Sequence, residues 1–377
     1  MGSITKSQTK SQRIVLPSEP SSLDAPARLI DLSTGLPSIT TLYSDFRPLA
    51  EGPGSTILYL HLPSTELIED RFGWEALEAY TGAVTTYLTR VWRDLRQERE
   101  ICVVARAFAD DYVLMMPTRK GDGELVTRIS DGMMRHLGAI DDDLAELHRL
   151  CVGRASTGPF MRVHPERRVY RAIQQAQQEA TNVGQQRLSE QARVLDRCIR
   201  DTLFRLVFQP IVDVRSYDIL SYEALVRCDE EELKNPHVLF NIAEKSGRIW
   251  PLSRLLRQMA AETVPRIARD RLMFINVHPD DFNDPRLLEP EPFMVEHASQ
   301  IVVEVTERAT IKDFEAFRSQ VEVLRSAGIR IAVDDLGGGF WALNSVAELD
   351  PDFIKFDMTL IRNIHESPVR QNLMRNM

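Results

Sequence analysis

Cysteine is scarce in this sequence, and long hydrophobic runs are absent. The four cysteines, Cys102, Cys151, Cys198 and Cys228, form no C-x-x-C pair, so they indicate neither a zinc site nor a disulfide framework, and we expect a reducing cytoplasmic setting. No apolar run approaches the ~18 residues that a membrane-spanning helix needs. An excess of basic residues is also missing, since the net charge is −9. This balance argues against a nonspecific binder of nucleic-acid polymers.

The length and composition predict a soluble globular protein with two domains. The chain has 377 residues, of which 43% are hydrophobic and 27% charged. Residues 1–23 are rich in Ser, Lys and Gln and have no apolar core, which predicts a disordered tail rather than a signal peptide or anchor. We expect a first domain over 24–166, a helical linker over 167–204 and a second domain over 205–377.

The first domain alternates strand-like and helix-like segments. Residues 57–62 have the composition of a buried strand, and 101–105 with 112–116 predict a hairpin. Residues 75–98 have helical periodicity. The pattern indicates an α/β layer domain with an antiparallel element.

The linker is rich in Gln, Arg and Ala and has few apolar positions. It predicts a helix, or a helix pair broken near 182–184, because Gly is a poor helix former. We interpret it as a solvated connector, with a dimerising coiled coil as the alternative. From residue 206 onward, six strand-like runs alternate with helical ones, which predicts a parallel sheet or barrel.

Polar residues close five of these six runs, and they carry the functional prediction. They are Glu223, Asn276, Glu304, the pair Asp334 and Asp335, and Lys355. Taken singly, each has a simpler explanation as a surface carboxylate, a loop residue, a helix cap or a solvent-exposed lysine. Taken together, carboxylates, an amide and a lysine at the carboxyl ends of barrel strands predict an active site. Their hard oxygen ligands favour Mg²⁺ or Mn²⁺.

Sequence motifs around these positions resemble one known family. They are Phe208-Gln209-Pro210-Ile211, Glu223-Ala224-Leu225-Val226-Arg227, Phe274-Ile275-Asn276-Val277, Glu304-Val305-Thr306-Glu307, Asp334-Asp335-Leu336-Gly337 and Pro351-Asp352-Phe353-Ile354-Lys355. Their identity and order are similar to those of the EAL-domain phosphodiesterases, which hydrolyse the bacterial second messenger cyclic di-GMP. The resemblance implies a TIM-like (β/α) barrel and the linear dinucleotide pGpG as product.

The resemblance also implies roles for individual residues. A first ion would be held by Glu223, Asn276, Glu304 and Asp334, and a second by Asp335. Lys355 would orient the attacking water or stabilise charge on the phosphate. For the substrate, Arg227 would clamp a phosphate and Gln209 would donate or accept a hydrogen bond. The catalytic set implied is therefore Lys355, Glu223 and Asp335.

The first domain resembles a degenerate GGDEF (diguanylate cyclase) domain. Its opening segment, 31–37, matches that family, but Phe108-Ala109-Asp110-Asp111-Tyr112 replaces the G-G-D-E-F hairpin. Loss of both glycines removes close backbone approach to a nucleotide phosphate. His61 stands where the family has a metal-binding aspartate, and Arg99 keeps half of an inhibitory motif. We expect a nucleotide-sensing or structural role rather than cyclase activity.

The barrel predicted by this resemblance lacks its last two strands. The sequence contains neither the E-G-V-E nor the Q-G-Y motif that the family carries there, and it ends at Met377. Three explanations stay open: a fragment of a longer chain, a partner that completes the barrel, or loss of activity. Enzymatic activity is therefore left open. The functional alternatives are a cyclic di-GMP phosphodiesterase and an inactive cyclic di-GMP receptor or interaction module, either of which could act as a homodimer or with a regulatory partner.

Overall fold

The strands of the chain form two separate sheets joined by one long helix. The computed structural model describes twelve segments. They are residues 30–32, 34–39, 49, 54–99, 101–108, 110–158, 164–267, 270–288, 292–306, 314–336, 346 and 349–376. The predicted tail, residues 1–23, lies outside them. Within these ranges, none of the helices combines the length and apolar character that crossing a bilayer requires.

The first sheet has four strands, and each neighbouring pair is antiparallel. The strands are β1 Ser55–His61, β2 Val103–Phe108, β3 Asp111–Pro117 and β4 Cys151–Thr157, in the order β2-β3-β1-β4. The buried strand predicted at 57–62 is β1, and all of its residues except His61 are buried. The predicted hairpin is confirmed as β2 and β3.

Four helices pack around this sheet. They are α1 Thr65–Phe72, α2 Trp74–Arg99, α3 Asp122–Gly138 and α4 Asp142–Leu147. In α2, Tyr80, Val84 and Leu88 recur every four residues and are fully buried, as one face of an amphipathic helix requires. The helix predicted over 75–98 is therefore confirmed.

The linker forms a single continuous helix, α5, over Pro165–Arg200. The predicted break near 182–184 is wrong. Gly184 stays helical because the preceding turns pack on the first sheet, through Val169, Ala176 and Ala180 among others. Strand β4 approaches the helix so closely that a Cβ on Gly153 would lie 1.8 Å from the Ala176 carbonyl oxygen. Tertiary packing thus overrides the low helix propensity of one glycine.

The second sheet contains the six strands counted in the sequence. They are β5 Phe204–Val212, β6 Ile219–Cys228, β7 Leu272–Asn276, β8 Ile301–Thr306, β9 Arg330–Leu336 and β10 Phe353–Phe356, in this spatial order. From β6 to β10 all neighbours are parallel. The first pair differs from the prediction, because β5 and β6 form an antiparallel hairpin. Strand β6 also continues five residues beyond Glu223.

Helices lie between the parallel strands from β6 to β9, as in β/α folds, and two more follow β10. They are α6 Pro236–Lys245, α7 Ile249–Ile267, α8 Pro285–Leu288, α9 Pro292–Glu296, α10 Phe314–Ser326, α11 Met358–Ile361 and α12 Pro368–Asn376. The central strands are buried on both faces. Val302, Val303, Ile331 and Val333, for example, have no exposed surface. Near-continuous apolar runs of this kind are typical of parallel strands covered on both sides.

Candidate metal centre

The register of the parallel strands carries the predicted polar residues toward one edge of the sheet. Asn276 lies opposite Glu304, and Thr306 lies opposite Asp334. Glu223 lies one strand before Asn276 and is paired with Phe274. Because parallel strands end on the same side of the sheet, their carboxyl ends bring these side chains together.

A local irregularity gives β9 two aspartates opposite one residue of β10. Val333 pairs with Ile354 and Leu336 pairs with Phe356, so Asp334 and Asp335 both stand opposite Lys355. Asp335 has a φ of 59°, a left-handed conformation that Asp tolerates better than most residues. Such a bulge re-aims the side chains next to it, and bulges are frequent beside active sites.

Five of the predicted residues lie together in the structure. Lys355 Nζ lies 2.9 Å from Glu223 Oε2 and 2.7 Å from Glu304 Oε1. The same nitrogen is 3.5 Å from Asp334 Oδ1. Asn276 Nδ2 donates a 3.1 Å hydrogen bond to Glu223 Oε1. We call Glu223, Asn276, Glu304, Asp334 and Lys355 the acidic centre.

The acidic centre holds more negative than positive charge. One oxygen from each of Glu223, Glu304 and Asp334 lies within 4.8 Å of the others. Burial raises the pKa of Glu304 to about 8, although Lys355 opposes this shift. Burial also raises the pKa of Asp334. For Lys355, burial lowers the pKa, but the charges of Glu304, Asp334 and Glu223 outweigh it and raise the pKa overall.

These residues fit a divalent cation. Glu304 is fully buried, and its Oε2 accepts no hydrogen bond from a described residue. Lys355 is its only charged contact among the described residues. A buried carboxylate without hydrogen-bond donors is costly unless a cation satisfies it. With all three carboxylates ionised and Lys355 protonated, the net charge would be minus two, which a divalent ion would neutralise.

The other predicted site residues lie around the acidic centre. Asp335 donates its backbone N–H to Asp334 Oδ1, but its carboxylate is outside the three-carboxylate group. Gln209 is exposed on β5, directly opposite Glu223 in the hairpin. Arg227 lies four residues along β6 from Glu223, roughly 13 Å away in an extended strand. Glu307, from the same family motif as Glu304, lies outside the described residues.

A buried ion network behind Asn276 was not predicted from the sequence. Asp281 and Asp284 follow β7 and have no exposed surface. On α7, Arg257 lies 3.3 Å from Asp281 and 3.2 Å from Asp284. Arg254 forms a bidentate ion pair with Asp284, in which Nε and Nη2 each donate to one carboxylate oxygen. The network fixes the loop that leaves the acidic centre. The only signal in the sequence is Asp281 three residues after His278, the spacing of a capping box.

In the first domain, the hairpin carboxylate Asp111 is engaged on both oxygens. His61 Nδ1 lies 2.7 Å from Asp111 Oδ1, and the buried Tyr59 hydroxyl donates to Oδ2 at 2.6 Å. Phe108, at the end of β2 in this hairpin, is exposed over 66% of its surface. Arg99 is buried and donates to Asp122 at 2.6 Å. Both the hairpin acid and Arg99 are therefore tied into the domain's own structure.

Comparison with known proteins gives the family of the second domain. Residues 192–377 match the EAL domain model, and this part of the chain belongs to the EAL domain family. Among curated relatives, the chain is 34% identical over 164 residues to the probable cyclic di-GMP phosphodiesterase PdeI of Escherichia coli. It is 31% identical over 173 residues to the blue light- and temperature-regulated antirepressor BluF of the same species.

These relatives are longer proteins. The matched regions cover 40% and 44% of this chain but only 21% of PdeI and 42% of BluF. Among solved structures, a Vibrio cholerae LapD S helix-GGDEF-EAL chain bound to c-di-GMP covers 91% of this chain and is itself covered over 85%, at 12% identity and a TM-score of 0.46. A standalone EAL protein from Vibrio cholerae in its c-di-GMP-bound form gives 28% identity over 46% of this chain and 74% of its own, with a TM-score of 0.38.

Proposed function

We propose that the chain hydrolyses cyclic di-GMP to the linear dinucleotide pGpG with the help of Mg²⁺ or Mn²⁺. The observation that carries the proposal is the acidic centre, in which the fully buried carboxylate of Glu304 has Lys355 as its one cationic neighbour among the described residues and lies beside two further carboxylates. The name of the relative PdeI points to the same substrate.

Glu223, Asn276, Glu304 and Asp334 would hold the first ion, and Asp335 a second. Asn276 donates its amide N–H to Glu223, so its carbonyl oxygen stays available as a ligand. The bound cations would supply positive charge against the phosphodiester anion and lower the pKa of a water molecule.

Lys355 is suited to stabilise charge rather than to accept a proton. Its raised pKa keeps the ammonium protonated at neutral pH. Its ammonium lies in contact with carboxylates on β6, β8 and β9. From this position it would donate to a phosphate oxygen as negative charge develops there. Arg227 would clamp a phosphate, and Gln209 would hydrogen-bond the nucleotide.

A receptor without turnover is the second candidate. It is favoured by the relative BluF, which carries a matching segment and is named an antirepressor. In this function the same residues would bind cyclic di-GMP, and α5 would pass the binding event to the first domain.

The test is chromatography of cyclic di-GMP after incubation with the purified chain and Mn²⁺. Glu223→Gln keeps the shape of the side chain but removes its charge, so we expect turnover to fall by at least ~100-fold. Glu262→Gln is the matched control, because Glu262 is exposed on α7 and remote from the acidic centre. It should keep native turnover.

Three outcomes separate the candidates. Linear product from the native chain and the control, but not from Glu223→Gln, would support hydrolysis at this centre. Metal-dependent binding of cyclic di-GMP without product would favour the receptor. Equal turnover in Glu223→Gln and the native chain would refute the proposed ligand set.

A further inference from the structure

A cavity of about 280 Å³ lies where the first domain, α5 and α6 meet. The first domain contributes Arg149 and Leu67, α5 contributes Arg187 and Gln191, and α6 contributes Asn241 and Lys245. The acidic centre contributes no residue to its lining. The cavity is therefore a separate feature, shared by the two domains and the helix that joins them.

Positive charge in this cavity is not neutralised by ion pairs. No carboxylate lies within ion-pair distance of Arg149 or Arg187 in the part of the chain that the structure describes. Arg149 instead donates to the backbone carbonyl oxygens of Glu146 and His148. Burial lowers the pKa of Arg149, and the charge of Arg187 lowers it further, against the opposing charges of Glu232 and Glu146.

The pKa of the neighbouring His148 reflects the same positive charge. Burial, followed by the charges of Arg149 and Arg187, lowers the pKa of His148 to about 4. Lys245 adds a third cation to the lining, although it lies 4.0 Å from the exposed Glu66. A cavity lined by two guanidinium groups with no carboxylate in ion-pair contact favours an anionic ligand.

A buried amide also lacks a partner in this cavity. Gln191 is only 8% exposed, and its side chain has no hydrogen-bond partner among the described residues. Because it lines the cavity, its amide faces space rather than protein. Its amide nitrogen and oxygen stay accessible from the cavity. There they can hydrogen-bond an oxygen-bearing ligand.

Much of the remaining lining is apolar, although His61, Ser64, Thr181 and Gln185 also reach the cavity. Leu67, Leu188, Val238 and Ile242 form the walls. The volume corresponds to roughly nine water molecules, which suits a small ring-bearing molecule and not a polymer. Convergent polar groups in an apolar pocket are typical of small-molecule sites.

We propose that this cavity binds a small organic anion whose phosphate or carboxylate group contacts Arg149 and Arg187. Its apolar body would lie against Leu188 and Val238, and Gln191 would hydrogen-bond one of its oxygens. Because the ligand would touch both domains, its binding would stabilise their docking across α5. This site does not depend on the proposed hydrolysis.

The test is calorimetric titration of the full chain in EDTA, so that bound metal cannot attract the probes. Phenyl phosphate carries a phosphate group on a benzene ring, and benzoate carries a carboxylate group on the same kind of ring. Benzyl alcohol is the neutral counterpart. We expect at least one anion to bind about tenfold more tightly than benzyl alcohol. Arg187→Gln, at an exposed position that should not impair folding, should weaken the tighter anion about tenfold.

Matched variants complete the test. Arg193→Gln removes the same charge from an exposed position on α5 outside this cavity and should bind as the native chain does. Gln191→Leu should weaken anion binding while retaining that of benzyl alcohol. The preferred head group, phosphate or carboxylate, identifies the ligand class. Absence of binding by both anions up to about 10 mM, or equal weakening by Arg187→Gln and Arg193→Gln, would overturn the proposal.

Discussion

At the scale of single residues, Glu304 has the most unusual environment in the acidic centre. Its carboxylate is fully buried, contacts Lys355 at 2.7 Å through Oε1, and accepts no hydrogen bond at Oε2 from the described residues. Desolvation therefore dominates and raises its pKa to about 8 from an ordinary value of 4.5. Without a cation, the folded chain holds a proton there that the unfolded chain releases.

This environment predicts how stability depends on pH in the metal-free chain. Since the folded pKa of Glu304 is raised, its contribution to stability is fully present below about pH 4.5 and is lost as the pH rises through about 8. Glu304→Gln has no such proton to lose. We expect its melting temperature in EDTA to vary less between pH 5 and 9 than that of the native chain, and to exceed the native value at pH 9.

Saturating Mn²⁺ supplies the control for this measurement. A cation bound to Glu304 would stabilise the native chain but not Glu304→Gln. Equal pH dependence of the two metal-free chains would contradict the assignment of a buried, protonated carboxylate.

At the scale of structural elements, the loop after β7 is stabilised by ion pairs between buried side chains. Arg257 on α7 is buried and lies near both Asp281 and Asp284. Burial raises the pKa of Asp281 despite the charge of Arg257. The loop begins directly after Asn276, so this network orients one residue of the acidic centre.

Removing one partner of this network should be costly. Arg257→Ala leaves two buried carboxylates with less positive charge, so we expect it to lower the free energy of unfolding by about 3–5 kcal/mol. Urea denaturation measures the change. Arg266→Ala, an exposed position on the same helix, should change it by less than ~0.5 kcal/mol. A loss below ~1 kcal/mol in Arg257→Ala would mean that the network contributes little.

The strands of the acidic centre could be predicted from the sequence because each is a short apolar run that ends near a polar residue. This signal is local, and it located Asn276, Glu304 and Lys355 at the edge of the sheet. The pairing of β5 with β6 was not evident, because strand direction depends on contacts between distant residues. The bulge at Asp334 and Asp335 also depends on the register of a neighbouring strand, and no single-strand pattern reports it.

At the scale of the whole molecule, α5 belongs to both halves. Its first turns pack on the first sheet through Val169 and Ala176, and its last turns pack near β6 through Leu195 and Cys198. Many buried residues of the first domain share one hydrophobic cluster with Leu195 and Cys198 of α5 and with residues of α6. The predicted solvated connector is thus part of the core.

The closest approach of helix and sheet gives a test of this arrangement. A Cβ at position 153 would lie 1.8 Å from the Ala176 carbonyl oxygen, so Gly153→Ala must push α5 away from β4. We expect a loss of about 1–3 kcal/mol and a melting temperature lower by several degrees. Gly158→Ala, where an added Cβ meets nothing within 4 Å, should melt like the native chain. Equal melting of the two variants would show that α5 is loosely held.

The interdomain cavity shows why some functional features escape sequence reasoning. Arg149 lies in the loop before β4, Arg187 on α5 and Lys245 on α6, and nothing in their spacing connects them. Each resembles an ordinary surface cation until the fold brings them together. In contrast, the acidic centre could be anticipated, because each of its residues lies at or near the end of a short apolar run that the sequence shows directly.

The position of α5 also limits how the EAL domain can be separated from its neighbour. The family match begins at residue 192, eight residues before the helix ends. A fragment cut at the loop before β5 would lose Leu195 and Cys198 and uncover Phe204, Val226 and Cys228, which share their cluster. Recombination between proteins could therefore exchange this domain only together with the end of the helix. The unit that has to stay together is therefore longer than the second sheet and its own helices, because it includes the last turns of α5.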